Sequence, residues 1–330
     1  MRALQVFQLG DPVDVLQVAS VPSPEPGPSQ VRIRVAAAAL NFADDLVCRG
    51  RYQVKPALPF TPGMEVAGTV VAAGPAARAR EGQRVMALAA LPHGGFAEEA
   101  LAEDVTTYPI PDSLSDVEAA ALLVTYQTAH VALHRRGALR EGEWLLVHAG
   151  AGGVGSAAIQ LGKAAGARVI ATAGGPAKTK RCTELGADVV VDHRREDFAP
   201  VVARETGGRG ADLIFDPVGG DTFERSRKCI AFEGRLLVIG FASGKIPEAP
   251  ANHVLLKNYS IVGVHFSRYA SFNPGVLDAA TADLIRMHAE GLVRPSIDGL
   301  LELEEIPQAL SRLAGGGTTG KLVAQIGSTE

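Results

Sequence analysis

The sequence has little of what marks several protein classes. Its 330 residues include only three cysteines, Cys48, Cys182 and Cys229, an odd and scattered set that argues against a disulfide framework and for a reducing compartment. The first residues lack the apolar core of a signal peptide, and no run approaches about 18 uncharged apolar residues. The net charge is −4, and basic pairs such as Arg194 and Arg195 are interpreted as solvated surface. We therefore expect a cytoplasmic protein without nucleic-acid or membrane partners.

The chain is long enough for about two domains. The first third is β-rich: residues 30–35 alternate polar and apolar side chains, and short apolar segments at 65–71 and 82–87 are separated by glycine or proline. These features predict a barrel-like domain. From about Asp116 the pattern changes to helices that alternate with apolar strands.

The alternating region predicts a doubly wound parallel sheet with crossover helices. Its six predicted strands are Trp144–Ala149, Arg168–Ala173, Val189–Asp192, Ala211–Val218, Arg235–Gly240 and Ser260–His265. A helix near Leu277–Glu290 and a last strand at Lys321–Ile326 follow, and we expect this final stretch to rejoin the β-rich domain. The cofactor domain is then an insertion at 122–264.

A glycine-rich turn lies between the first of these strands and an alanine-rich helix. Gly150, Gly152 and Gly155 have the spacing GxGxxG. Such glycines permit the turn, let a pyrophosphate approach the backbone and let the helix pack closely on the strand. The N-terminus of the helix then offers N–H groups and a positive dipole end to the phosphates. The alternative is a turn that binds nothing, but the flanking strand and helix favour a dinucleotide site.

The sequence lacks the acidic residue that selects NAD. That residue lies about 20 positions past the glycines and binds the ribose 2′-hydroxyl, but no acidic residue occurs between Ser156 and Thr183. The second strand is followed instead by Gly174 and Gly175, and then by Lys178. A small turn with a nearby cation suits the 2′-phosphate of NADPH. A solvated helix residue is the alternative interpretation of Lys178. We predict that the cofactor is NADPH.

Motifs along essentially the whole chain carry a family resemblance. They are ALNFAD at 39–44, GRY at 50–52, LPFTPGMEVAG at 58–68, GGFAE at 94–98, AGAGGVG at 149–155, FDPVGG at 215–220, VIGFASG at 238–244 and GKLV at 320–323. In this order they resemble the medium-chain dehydrogenase/reductase superfamily, and within it the zinc-free quinone oxidoreductases. The resemblance implies an α/β protein with a β-rich, GroES-like catalytic domain at 1–121 and 265–330. It also implies a Rossmann domain that binds NADP at 122–264.

The resemblance also bears on zinc, because a catalytic zinc needs about three protein ligands. The zinc-dependent branch of the superfamily has a Cys where this chain has Asn41 and a His where it has Met64. The four closely spaced cysteines of the structural zinc lobe are missing as well. Cys48 is seven residues too late for the ligand position and is expected to be a packed thiol. We predict no metal.

Without a metal to polarise a carbonyl, hydride donation to an already electrophilic quinone or C=C bond is the favoured chemistry. Conjugate reduction forms an enolate, which needs hydrogen-bond donors and a proton. Tyr52 occupies the position where related 2-enoyl-thioester reductases carry their active-site Tyr; the alternative is a buried phenol. Asn41 is implied to touch the nicotinamide ribose or the substrate. Thr125 resembles the family threonine beside the nicotinamide, or else bonds its own helix backbone. Asp44 and Asp45 are interpreted as caps or ion-pair partners.

The remaining cofactor contacts are implied by the resemblance. The pyrophosphate is assigned to Gly152, Gly153 and Val154, the 2′-phosphate to Gly174 and Lys178, the adenine ribose to His193, and the nicotinamide wall to Gly240, Phe241, Ala242, His265, Phe266 and Ser267. In one departure, the Arg that some quinone reductases carry before the final strand, and that reaches the 2′-phosphate, is replaced by GGGTT at 315–319. The sequence leaves open whether Lys321 compensates for it.

The resemblance implies an NADPH-dependent, zinc-free reductase of quinones or α,β-unsaturated carbonyls. One alternative is a 2-enoyl-thioester (acyl-CoA) reductase, which needs an acyl channel and a basic patch for CoA. The other is a non-enzymatic structural or RNA-binding protein that binds NADPH, against which the acidic balance and the intact cofactor motif argue. A homodimer is also implied, built by joining the edge strands of the cofactor domains, here Ser260–His265.

Overall fold

The computed structural model describes residues 1–327, and the chain divides into two units. One unit contains Met1–Val124 together with the C-terminal segment from Arg294, and the other contains Thr125–Val293. The sequence placed the divisions at 121/122 and 264/265, so the second unit extends further toward the C-terminus than the predicted cofactor domain.

The strands are numbered in chain order: β1 (Arg2–Val6), β2 (Leu16–Ser20), β3 (Gln30–Ala39), β4 (Glu65–Ala73), β5 (Arg84–Ala89), β6 (Glu99–Pro109), β7 (Trp144–Val147), β8 (Arg168–Ala173), β9 (Val189–Asp192), β10 (Ala211–Asp216), β11 (Ile230–Val238), β12 (Ser260–Gly263), β13 (Ile297–Leu301) and β14 (Lys321–Gln325). The α-helices are α1 (Pro12–Val15), α2 (Phe42–Cys48), α3 (Asp116–His130), α4 (Gly153–Ala164), α5 (Pro176–Glu184), α6 (Phe198–Glu205), α7 (Gly220–Ser226), α8 (Ala251–Lys257), α9 (Tyr269–Phe272), α10 (Gly275–Ala289) and α11 (Ile306–Ala314).

The first unit is built on a closed barrel. Strand β3 pairs antiparallel with both β4 and β6, and β5 joins β4 to β6, so these four strands close on themselves. The alternation seen in the sequence is the inside and outside of β3, where Val31, Ile33 and Val35 are buried. The predicted last strand does rejoin this unit: β14 pairs antiparallel with the end of β3, and β13 pairs parallel with β14.

The second unit contains the predicted parallel sheet. Its six strands lie in the order β12-β11-β10-β7-β8-β9, and every pairing is parallel. The strand order reverses between β7 and β10, and in such sheets ligands bind at the carboxyl ends of the strands beside this point. The glycine-rich turn follows β7, so it lies at this position. The doubly wound fold predicted from the sequence is confirmed.

Several predicted boundaries are shifted. Strand β12 ends at Gly263 rather than at His265, because the chain soon enters a 3₁₀ turn at Phe266–Arg268. The second unit also includes α10, which the sequence assigned to the other domain. The Gln127 side-chain amide on α3 donates to Thr281 Oγ1 on α10 at 2.6 Å, and this buried contact ties α10 to the second unit.

Candidate active site

The glycine-rich turn forms a tight corner between β7 and α4. Ala149 has a φ of 50°, a left-handed conformation that is uncommon for residues other than glycine. A Cβ on Gly155 would lie 2.2 Å from the carbonyl oxygen of Ala149, so only glycine lets the helix come this close to the strand. A Cβ on Gly152 would meet only that same oxygen, at 3.3 Å, and otherwise open space.

The N-terminus of α4 suits a phosphate. Its N-cap is Gly152, which provides no side-chain hydrogen bond to the N–H groups of the first helical turn. Gly153 and Val154 begin the helix, so their N–H groups and the helix dipole face the open space above Gly152. The predicted contacts Gly152, Gly153 and Val154 therefore lie at a helix N-terminus, a position whose N–H groups can bind a phosphate.

A buried imidazole lies beneath this turn. His148 follows β7 and is fully buried, with Nδ1 3.0 Å from Thr172 Oγ1 and Nε2 2.8 Å from Ser226 Oγ. Its ring also packs edge-on against Phe198, with 4.7 Å between the ring centroids. Burial lowers the pKa of His148 to about 3, so the ring is neutral at working pH. The residue links strands β7 and β8 to helix α7.

The second glycine turn follows β8 and is organised by Asp192. The Asp192 carboxylate accepts the N–H groups of Gly175 at 3.0 Å and of Arg194 at 3.1 Å, and these bonds lower its pKa. A Cβ on Gly174 would lie 2.9 Å from His193 Nε2 and 3.0 Å from Arg194 Nε. The His193 and Arg194 side chains therefore lie against the turn.

Two of the predicted contacts and one unexpected cation meet at this turn. Gly174 and His193 are adjacent there, and Lys178 lies in the first turn of α5, which starts at Pro176. Arg194 was interpreted as solvated surface. Its side chain is exposed, but its guanidinium lies over Gly174 and Gly175, where a 2′-phosphate is expected. The exposure agrees with the sequence-based interpretation of Arg194 as solvated surface, and its position against the turn adds to that interpretation.

The predicted nicotinamide residues follow β11 and β12. The N–H of Ala242 donates to the Pro217 carbonyl oxygen at 3.0 Å, and a Cβ on Gly219 would lie 2.9 Å from the Phe241 ring. The loop with Gly240, Phe241 and Ala242 therefore packs on the loop after β10. His265 and Ser267 contact each other, with 3.2 Å from Nδ1 to Oγ, and Phe266 begins the 3₁₀ turn. Thr125 is buried in α3.

Asn41 lies in a buried polar network of the first unit. Its Nδ2 donates to Glu65 Oε2 at 3.0 Å and to the Ala39 carbonyl oxygen at 3.2 Å. Its Oδ1 accepts from Lys321 Nζ at 2.7 Å, and Lys321 also donates to Glu65 Oε2 at 2.9 Å. We call Asn41, Glu65 and Lys321 the Lys321 network. Glu65 was not identified as a site residue from the sequence, and Lys321 was considered there only as a substitute for the missing arginine at the 2′-phosphate.

Asp44 is the buried carboxyl next to this network. One oxygen accepts the N–H of Asn41 at 2.8 Å, and the other accepts the N–H groups of Gly63 and Met64 at 3.2 and 3.1 Å. Burial raises the pKa of Asp44 to about 7 against the lowering effect of these N–H groups. Asp45 pairs with Arg49 at 3.0 Å. The prediction that Asp44 and Asp45 act as a cap and an ion-pair partner is confirmed.

Tyr52 is half-buried and packs against the barrel core. Burial, and to a lesser extent the nearby Asp44 carboxylate, raise its pKa. The phenol therefore stays protonated at working pH and can donate a hydrogen bond to a developing negative charge.

The Lys321 network bears on metal binding. Among residues 1–327, no group of three or more His, Cys, Asp or Glu side chains has the arrangement of a metal site. The residue chemistry agrees with this: Asn41 contacts a fixed ammonium, and a second cation at the same place would be repelled.

Comparison with known proteins establishes the family. Residues 27–112 match the alcohol dehydrogenase GroES-like domain, and residues 153–282 match the zinc-binding dehydrogenase domain, a match that contains neither Asn41 nor Met64. A quinone oxidoreductase-like protein 2 homolog from Nematostella vectensis is 37% identical over 98% of this chain and 88% of its own length. The quinone oxidoreductase of Homo sapiens is 34% identical over 98% of this chain and 97% of its own length. The chain belongs to the quinone oxidoreductase family. The resemblance predicted from the sequence motifs is confirmed.

Solved structures of similar proteins confirm the α/β fold with its GroES-like and Rossmann parts. A mycobacterial protein complexed with NADPH has a TM-score of 0.92 and 31% identity, over 98% of this chain and 99% of that one. The Escherichia coli quinone oxidoreductase complexed with NADPH has a TM-score of 0.90 and 26% identity, over 98% and 100% of the two chains. The CurK enoyl reductase has a TM-score of 0.87 and 27% identity, over 99% of each chain.

Proposed function

We propose that this protein is an NADPH-dependent, zinc-free reductase that transfers a hydride to quinones or α,β-unsaturated carbonyls. The observation that carries the proposal is the pair of glycine turns in the second unit. One turn leaves open space at the N-terminus of α4, and the other has the Arg194 guanidinium where a 2′-phosphate is expected. Family membership and the NADPH complexes of two relatives support the choice of cofactor.

The chain's own residues then have distinct roles. The cofactor, when bound, supplies the hydride. Gly152, Gly153 and Val154 bind its pyrophosphate through backbone N–H groups, and Gly174 lets the 2′-phosphate reach Lys178, His193 and Arg194.

The nicotinamide end is assigned to a second set of residues. They are Asn41, Thr125, Gly240, Phe241, Ala242, His265, Phe266 and Ser267. We propose that Tyr52 donates a hydrogen bond to the oxygen that gains negative charge, because its raised pKa keeps the phenol protonated.

An enoyl-thioester reductase is the second candidate. Likeness to an enoyl reductase of known structure favours it, as does a protonated Tyr52 that can stabilise an enolate. Both candidates use hydride transfer to an electron-poor acceptor, so they differ only in the substrate.

We also propose a homodimer joined along β12. This strand is at one edge of the parallel sheet, and the neighbouring helix α8 exposes Leu255 and Leu256 at 75% and 80% of their surfaces. Exposed apolar side chains beside an open strand edge indicate that another molecule covers this surface.

Along residues 1–327, none of the helices is both long and apolar enough to cross a membrane. We propose a cytoplasmic location, based on the three buried thiols.

Steady-state NADPH oxidation by the chelator-treated protein tests the function. The panel contains a simple quinone, a small enone and a short 2-enoyl-CoA, with NADH as the control cofactor. Turnover of the quinone or the enone that survives chelation supports the proposal, and preference for the enoyl-CoA selects the second candidate. NADPH binding without turnover of any acceptor contradicts both and favours a non-enzymatic role.

A further inference from the structure

Lys321 has no donor left for a ligand. It is the first residue of β14 and is 4% exposed. An ammonium has three N–H donors. Three acceptors surround it: the Leu40 carbonyl oxygen at 2.9 Å, Asn41 Oδ1 at 2.7 Å and Glu65 Oε2 at 2.9 Å. The residue can therefore act on a ligand only through its neighbours.

Both carboxylate oxygens of Glu65 also have hydrogen-bond partners within the protein. It is fully buried at the start of β4, its Oε1 accepts the N–H of Val124 at 2.6 Å, and its Oε2 accepts from both Asn41 and Lys321. A buried carboxylate needs such partners, since an unpaired one would be strongly destabilising.

These two residues fix the orientation of the Asn41 amide. Lysine can only donate and a carboxylate can only accept, so Oδ1 must face Lys321 and Nδ2 must face Glu65. Both hydrogens of Nδ2 are used, the second by the Ala39 carbonyl oxygen. In the reversed amide, the N–H groups would face the ammonium and the oxygen would face the carboxylate, and both contacts would be repulsive. Asn41, which is 8% exposed, can therefore offer a ligand only Oδ1, as an acceptor.

We propose that Lys321 and Glu65 are positioning residues that make Asn41 an obligate hydrogen-bond acceptor, so that it binds a hydroxyl of the nicotinamide ribose and not a substrate oxygen. The inference rests on the proposed function for the cofactor, and it decides between the two roles that the sequence left open for Asn41. A quinone or enone oxygen that gains negative charge needs a donor, which Asn41 cannot provide and the Tyr52 phenol can.

Binding of deoxygenated cofactors tests the inference without relying on turnover. NADPH and its analogues that lack the 2′- or the 3′-hydroxyl of the nicotinamide ribose are titrated by cofactor fluorescence. For wild type, we expect one analogue to bind up to about tenfold more weakly, as for the loss of one hydrogen bond. In Asn41→Ala this penalty should fall below about twofold. An equal penalty in Asn41→Ala and wild type, or no penalty in wild type, overturns the assignment of the ribose to Asn41.

A second set of variants tests the positioning residues. Lys321→Met removes the donor to Oδ1 but leaves Glu65 as the acceptor of Nδ2, so this single variant should keep the amide orientation and the deoxy penalty while the isolated protein still melts cooperatively. If the unpaired Glu65 prevents folding, the double variant Lys321→Met/Glu65→Gln removes both charges and keeps an acceptor for Val124. In the double variant the Gln amide can donate to Asn41 Oδ1, which reverses the Asn41 amide so that Nδ2 faces the ligand. An analogue with a methoxy group in place of the hydroxyl, which can accept but not donate, should then lose less affinity than it does with wild type.

Lys163→Met is the matched control, because it breaks an ion pair with Asp188 (2.8 Å) on the surface of the other unit. This variant should keep the wild-type penalty. If the methoxy analogue loses as much affinity with the double variant as with wild type, Lys321 and Glu65 do not orient Asn41. This test measures cofactor affinity and not turnover, so it still decides the role of Lys321 if the protein reduces no quinone or enone. A lack of turnover would contradict only the proposed function.

Discussion

Adding one methyl group at Gly152, by the substitution Gly152→Ala, should strongly weaken cofactor binding and only slightly destabilise the fold. Gly152 has φ −81° and ψ 173°, an extended conformation that any residue can adopt. A Cβ there would contact only the Ala149 carbonyl oxygen, at 3.3 Å, which asks for a shift of a few tenths of an ångström. Alanine is also a poorer N-cap than glycine, so Gly152→Ala should lower the free energy of unfolding by about 1 kcal/mol.

The same methyl group should strongly weaken NADPH binding. It projects into the open space beside the N–H groups of the first turn of α4, where the pyrophosphate is expected. A hydrogen bond to a charged group contributes about 1.5–3 kcal/mol, so the loss of two such bonds costs about 3–6 kcal/mol. At about 1.4 kcal/mol for each factor of ten, the Kd for NADPH should rise by more than about 100-fold.

Cofactor fluorescence and thermal melting of the cofactor-free protein provide the two readouts. Gly275→Ala is the control: a Cβ at this first residue of α10 would lie 3.7 Å from Asn273 Oδ1, and NADPH affinity should not change. Gly155→Ala should instead impair folding itself, because its Cβ would lie 2.2 Å from the Ala149 oxygen. A Gly152→Ala protein that binds NADPH within about threefold of wild type would refute pyrophosphate binding at α4.

Three further predictions concern the second unit. Arg194→Ala should weaken NADPH binding about tenfold and leave NADH binding unchanged, as for the loss of one exposed charged hydrogen bond; Arg195→Ala is the control, and equal losses for both cofactors would contradict the role of Arg194. Burial lowers the pKa of His148 from the ordinary histidine value of 6.5 to about 3 in the folded protein, so its stabilising contribution is complete above pH 6.5 and is lost as the pH falls. At pH 5 this loss is about 2 kcal/mol, and denaturant melts of His148→Gln should show a smaller decrease in stability between pH 7 and 5 than wild type. Wild type should have the mass of the proposed dimer in light scattering, and replacing Leu255 and Leu256 by Asp should give a monomer; a dimer that keeps its mass in this variant would exclude this surface as the interface.

The parts of the fold that the sequence predicted are those with a local pattern. The parallel strands are short apolar runs bounded by glycine or by helices, and their order follows from the connections between them. Strand ends were less predictable: β7 ends at Val147 and not at Ala149, because Ala149 already adopts the left-handed conformation of the glycine turn. The glycine spacing predicted that turn, and the structure supplies the reason for Gly155, whose Cβ would lie 2.2 Å from the Ala149 carbonyl oxygen.

The cations at the second glycine turn show where local patterns are insufficient. Arg194 is one of a basic pair, and nothing in the sequence distinguishes it from Arg195. It reaches Gly174 because β8 and β9 are neighbours in the sheet and because Asp192 binds the N–H groups of Gly175 and Arg194 together. The acidic residue near this site, Asp192, accepts hydrogen bonds from backbone N–H groups.

The Lys321 network depends on a contact that no window of the sequence contains. Lys321 and Glu65 are 256 residues apart, and each alone would be interpreted as a surface charge. Both are buried at the same place because β14 and β4 pair with β3 on opposite sides, near Ala39. Once the two charges are buried, each requires the other, and their remaining hydrogen-bonding groups require Asn41 and the backbone. An amide at position 41 is therefore part of one three-residue unit, in which a change of a single member leaves a buried charge or donor without its partner.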